Sequence, residues 1–144
     1  MAASCVTVTN AGLFDKERVE ITNMLEHNKI LKVHCKSDED DLGFHLIPPG
    51  ETYEIVFHDN LFDTTVFWCN LWQGPHYKHH QVLTVYDQSQ GIAPMHGNRI
   101  VWEAWELGIF EHMDDNIRLL RYRWDIPHKA SSPLSSVDEN LSPH

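Results

Sequence analysis

From Val19 onward the chain is a succession of short runs rich in Val, Ile, Phe, Tyr and Trp, recurring every ten to fifteen residues with turn-forming residues between them. Runs of that length and spacing are the pattern of an all-β sandwich or barrel. No stretch carries a helical apolar stripe over three turns. The expected fold is therefore all-β, a sandwich or a barrel of about eight strands. The expected strands are Arg18–Asn23, Leu31–Lys36, Gly43–Ile47, Thr52–Phe57, Thr65–Leu71, Gln81–Asp87, Arg99–Glu106 and Asn116–Asp125, with an optional arm strand Cys5–Thr9.

The phase of several strands is legible. In Leu31–Lys36 the apolar Leu31, Val33 and Cys35 alternate with Lys32, His34 and Lys36, so one face is buried and the other wet. Tyr53, Ile55 and Phe57 alternate in the same way. Thr65–Leu71 is apolar at nearly every position, as expected of a strand that is central in its sheet or covered on both sides. Trp68, Trp102 and Trp124 fall at positions that fit the core, whereas Trp72 and Trp105 are harder to place inside.

Pro48-Pro49-Gly50, Asp59-Asn60 and Asp114-Asp115-Asn116 supply tight reversals, and Gln88–Asn98 reads as a long exposed loop. After Ile126 the chain turns rich in Ser and Pro and poor in aromatics, the composition of a disordered tail. The organisation expected is an arm at 1–17, one domain at 18–126 and a disordered tail at 127–144. No run of 18 apolar residues occurs, so no membrane-spanning segment is expected. MAASCVTVTNAGLF lacks a basic leading region and breaks its apolar residues with Ser, Thr and Asn, which argues against a signal peptide within these residues.

A net charge of −10 excludes the counterion-release binding that drives association with nucleic acid. Eleven histidines would carry that charge to +1 if all were protonated, so surface charge should depend strongly on pH in the mildly acidic range. Of three cysteines, Cys35 and Cys69 lie in strand-like runs and Cys5 in the arm. If Cys35 and Cys69 pair, the closed loop stabilises the fold by roughly 4 kcal/mol on the chain-entropy account. In a reducing compartment they would be two buried thiols.

The segments VEITNML (19–25), LKVHCKSDEDDLG (31–43), GETYEIVF (50–57), DNLFDTTVFWCNLW (59–72), WEAWELGIF (102–110) and YRWDI (122–126) resemble, in order and spacing, the plant self-incompatibility S-proteins and their homologues. The resemblance covers nearly the whole core. It implies a secreted, extracellular antiparallel β-sandwich of two sheets that acts as a non-enzymatic signalling ligand, as the founding poppy members do when they trigger rejection of self pollen through a membrane receptor. The family's usual second cysteine pair is absent; HGNRIVWEAW has Ile100 where one cysteine would stand.

On that reading the partner is a plasma-membrane receptor, and contacts belong to polar loops carried on the rigid scaffold. The candidates are Asp38, Glu39, Asp40 and Asp41 in the acidic turn, Asp59 and Asn60, and His76, Tyr77, His79 and His80. The acidic turn does not have the spacing of an EF-hand and reads as a solvated turn presenting negative charge. His76, His79 and His80 have metal-like spacing but no evident fourth ligand, so no metal or cofactor is expected. No GxSxG or HExxH occurs, and Glu103 and Glu106 are three apart on an expected strand, which puts them on opposite faces. No enzyme is expected. The competing role is a cell-wall carbohydrate-binding module that uses Trp72, Tyr77 and Trp105 as an aromatic platform.

Overall fold

A computed structural model describes residues 16–58, 65–95, 97–114 and 116–127. The expected arm with Cys5, the candidates Asp59 and Asn60, and the tail from 128 lie outside the described residues. The strands are β1 Lys16–Asn23, β2 Leu31–Lys36, β3 Asp41–Ile47, β4 Thr52–His58, β5 Val66–Gln73, β6 His79–Asp87, β7 Arg99–Ala104, β8 Gly108–His112 and β9 Arg118–Arg123. They form a five-stranded sheet, β4-β1-β7-β8-β9, and a four-stranded sheet, β3-β2-β5-β6. Every pairing is antiparallel except β1 with β7, which run parallel in the register Val19↔Ile100 and Ile21↔Trp102.

Alternation decides which side chains meet between the sheets. Val19 and Ile21 from β1, Leu31, Val33 and Cys35 from β2, Ile55 from β4 and Leu71 from β5 are fully buried. Tyr53 and Phe57 also point inward, and the Phe57 ring meets Phe67 and Tyr86 at centroid distances of 4.8 Å each. Ile100 is buried with them. The β5 strand is central in its sheet with one face buried; it is not covered on both sides.

Cys35 and Cys69 are direct cross-strand partners on β2 and β5 and form a disulfide, with Cα atoms 3.9 Å apart. The bridge lies within one sheet and faces the core.

Two expectations are corrected. The run read as one strand, Arg99–Glu106, ends at Ala104; Trp105-Glu106-Leu107 turns the chain, with Trp105 N–H donating to Gly108 O at 2.9 Å, and the additional strand β8 follows, which brings the total to nine. No Gly, Pro, Asn or Asp marks that turn, so it carries no sequence signal. Gly108 serves packing instead, because a Cβ there would collide with the carbonyl oxygen of Tyr122, and only glycine lets β8 approach β9 this closely. Trp68 does not enter the core; Phe67, Cys69, Leu71 and Gln73 take the inward positions of β5 and leave Trp68 on the outer face. Trp102 and Trp124 are buried as expected, and each indole N–H finds a carbonyl, Val85 O at 3.1 Å and Trp105 O at 2.8 Å.

Buried amides fasten the ends. Asn23 donates to Lys29 O and Ile47 O and accepts from Leu25 N–H, satisfying the turn after β1. Gln81 donates to Arg123 O and Ile126 O, which ties the exit of β9 to β6 of the other sheet.

Candidate functional site

The register separates the loop candidates. Lys36 lies opposite Trp68, and Val66 opposite Asp87, so the turn after β2 and the connection after β6 share one end of the four-stranded sheet. The Gly74–His80 segment lies at the other end, beyond Trp72 and Lys32.

At the first end, Ser37 builds the acidic turn. Its N–H donates to Asp40 O at 2.8 Å, and its hydroxyl oxygen accepts from Glu39 N–H and Asp40 N–H. The side chains of Asp38, Glu39 and Asp40 are left exposed. Asp41 behaves differently: it opens β3 and accepts from Gly43 N–H at 2.9 Å, and its Oδ1 lies 2.6 Å from His34 Nε2. Those two contacts, the backbone one foremost, hold its carboxyl below the usual aspartate range.

At the second end the chain turns through Gly74 at φ 93°, then His76 and Tyr77 at φ 56° and 53°. Left-handed backbone is costly for residues other than glycine, so tertiary contacts must hold this turn. The histidines diverge. His79 Nδ1 lies 2.6 Å from Asp125 Oδ2, and His80 Nε2 lies 2.7 Å from Asn70 Oδ1, while His76 is exposed. Asp125 also accepts from His80 N–H, and these contacts lower its pKa. Among the described residues no three His, Cys, Asp or Glu side chains converge on a point that could hold a metal ion.

Between the two ends lies the outer face of the four-stranded sheet. Register places Leu46, Lys32, Trp72 and His80 in one row across it, and Phe44, His34, Asn70 and Val82 in the next. Lys32 Nζ sits 4.9 Å from the Phe44 ring centroid, 5.2 Å from Trp72 and 5.4 Å from Tyr77. Phe44 and Leu46 are each 58% exposed, so these neighbouring rows carry apolar surface that is open to solvent. Trp72 and Tyr77 thus share one site. Trp105 does not join them: it follows β7 of the other sheet, where the Arg118 guanidinium covers its ring at 5.4 Å.

On the five-stranded sheet Glu103 is 5% exposed and fully engaged. Arg118 Nε donates to it at 2.6 Å and Trp105 Nε1 at 2.9 Å, and His112 Nδ1 lies 2.8 Å from its second oxygen. Burial pushes its pKa up, but the three donors outweigh burial and hold it below the ordinary glutamate value. Glu106 is engaged apart from it, accepting from Lys29 Nζ and Glu26 N–H. The two carboxylates fasten the β7–β8 turn to its neighbours and do not face a common substrate position.

Sequence reasoning missed the Lys32 cage. Its parts were visible only singly, because the cluster depends on a register that no single strand reveals.

Comparison with known proteins agrees with this architecture. The plant self-incompatibility protein S1 family matches residues 18–124. S-protein homolog 9 of Arabidopsis thaliana is 39% identical over 122 residues, covering 83% of this chain and 90% of its own length. S-protein homolog 8 of the same plant is 40% identical over 110 residues, covering 76% and 82%. A solved structure of SPH (self-incompatibility protein homologue) proteins, described as a widespread family of small, highly stable, secreted plant proteins, superposes with a TM-score of 0.60 at 22% identity, covering 79% of this chain and 98% of that one. The chain belongs to the plant self-incompatibility protein S1 family, the S-protein homologues.

Proposed function

We propose that this protein is a secreted, non-enzymatic recognition ligand that presents the acidic end of its four-stranded sheet to a plasma-membrane receptor. The observation that carries the reading is the turn after β2, where Asp38, Glu39 and Asp40 stay exposed while Ser37 fixes the backbone beneath them. The turn is anchored one residue after Lys36, beside the Cys35–Cys69 bridge, so its charges are displayed on a stiff support. Fixed charge of this kind steers encounter with a basic surface more than it adds affinity. The family's secreted character, as described for the SPH structure, supports an extracellular role. Among the described residues no helix is long and apolar enough to cross a membrane.

The test is binding of fluorescently labelled protein to plasma-membrane vesicles from plant tissue. Saturable binding that is competed by unlabelled protein and abolished by protease treatment of the vesicles supports a receptor. Binding that never saturates, or that survives protease, contradicts it.

A further inference from the structure

The outer face of the four-stranded sheet differs in charge from its counterpart. On the five-stranded sheet four of the five arginines have a glutamate partner: Arg18 with Glu54, Arg99 with Glu20, Arg118 with Glu103 and Arg121 with Glu111. Lys32 has no carboxylate partner among the described residues; its ammonium is surrounded by three aromatic rings instead. Lys36, on the same face of β2, likewise has no ion pair among the described residues. The carboxylate that these strands place there, Asp41, is engaged by His34 and Gly43 at the sheet's edge and lies opposite Lys36, whose charge helps keep it ionised. A chain of net charge −10 therefore keeps on this face one ammonium, Lys32, that has aromatic rings and no carboxylate as its partners among the described residues.

The rings on that face form a continuous run. His34 and Phe44 have centroids 4.2 Å apart, Phe44 and Trp72 5.9 Å, and Trp72 and His80 5.3 Å, with interplanar angles of 39°, 36° and 29°. At these separations the rings lean on one another in a row, Trp72 stacked on His80, so what they offer a ligand is the outer surface of that row, where Phe44 is 58% exposed. A pyranose ring offers the matching shape, with an apolar C–H face to lie on an aromatic ring and hydroxyls at its rim for Asn70 and His80. An ammonium held over aromatic rings keeps its attraction for a carboxylate, and that hydrogen bond is charge-assisted.

We infer that this face binds an acidic oligosaccharide, a chain of carboxylate-bearing pyranoses, with Phe44, Trp72 and Tyr77 stacking on the sugars and Lys32 pairing with a carboxylate. The site is distinct from the acidic end assigned to the receptor, and its test is independent of that assignment. The net negative charge does not oppose it strongly, because charges beyond about 8 Å are screened at physiological ionic strength.

The experiment is a titration of isotopically labelled protein with oligogalacturonate, followed by amide chemical shifts. The expected result is saturable shifts in β2, β3 and β5 around Lys32, Phe44 and Trp72, with Lys32→Gln weakening binding about tenfold or more. A cello-oligosaccharide of equal length and a polyglutamate of equal charge should each bind at least about tenfold more weakly. Absent shifts, shifts confined to other surfaces, or unchanged affinity in Lys32→Gln overturn the inference. So does equal binding of polyglutamate, which would reduce the face to bulk electrostatics and favour an acidic polypeptide, or equal binding of the neutral sugar.

Discussion

Cys35 and Cys69 face each other directly across β2 and β5, joined by a disulfide at the centre of the four-stranded sheet, and both are fully buried. The bridge closes a sequence separation of 34 residues that includes β3 and β4. Replacing both cysteines by alanine should lower the unfolding free energy by about 4 kcal/mol, read as a shift in the urea midpoint. Mass spectrometry of the oxidised protein should show one linked pair of peptides containing residues 35 and 69. Unlinked peptides would contradict the pairing.

Glu103→Gln tests the buried knot on the five-stranded sheet. The substitution removes charge-assisted bonds from Arg118 and His112 and should cost about 2 kcal/mol at neutral pH. Because the folded carboxylate has a lowered pKa, the native state favours the ionised form. Its stabilisation is present above the ordinary glutamate value of 4.5 and is lost as pH falls from there through the folded pKa. The difference in melting temperature between wild type and variant should therefore be full near pH 7 and shrink below pH 4.5.

Gly108→Ala should destabilise the domain by at least about 2 kcal/mol, since the new methyl would meet backbone, not a movable side-chain tip. Leu107→Ala, at an exposed turn position next to it, should cost less than about 0.5 kcal/mol. Thermal melts of the two variants check the contrast.

Much of the sandwich was legible because alternation is a local property. Leu31, Val33 and Cys35 announce their inward phase within β2 alone, and the observed strand has the bounds that its pattern suggests. Trp68 is not placed by sequence alone because β5 is apolar on both faces, and its phase is set by the buried Cys69 and Leu71. The β7–β8 turn escaped notice because Trp105-Glu106-Leu107 contains no turn-forming residue, while the glycine that makes β8 possible serves packing against β9. The sequence marks the contact candidates only as polar loop segments, and it is the register that sends Asp38, Glu39 and Asp40 to one end and His76, Tyr77, His79 and His80 to the other. The Lys32 cage draws on β2, β3, β5 and the turn after β5, so it exists only once the strands are paired.

The central claim is that exposed carboxylates at the acidic end guide the protein to a membrane receptor. The most direct measurement is the association rate of the double variant Asp38→Asn, Asp40→Asn with plasma-membrane vesicles, taken beside its melting temperature. The account predicts an association rate lower by about threefold or more at low salt, a smaller difference at high salt, and stability within about 0.5 kcal/mol of wild type. An unchanged rate at low salt, or a loss of binding matched by a loss of stability, would contradict it.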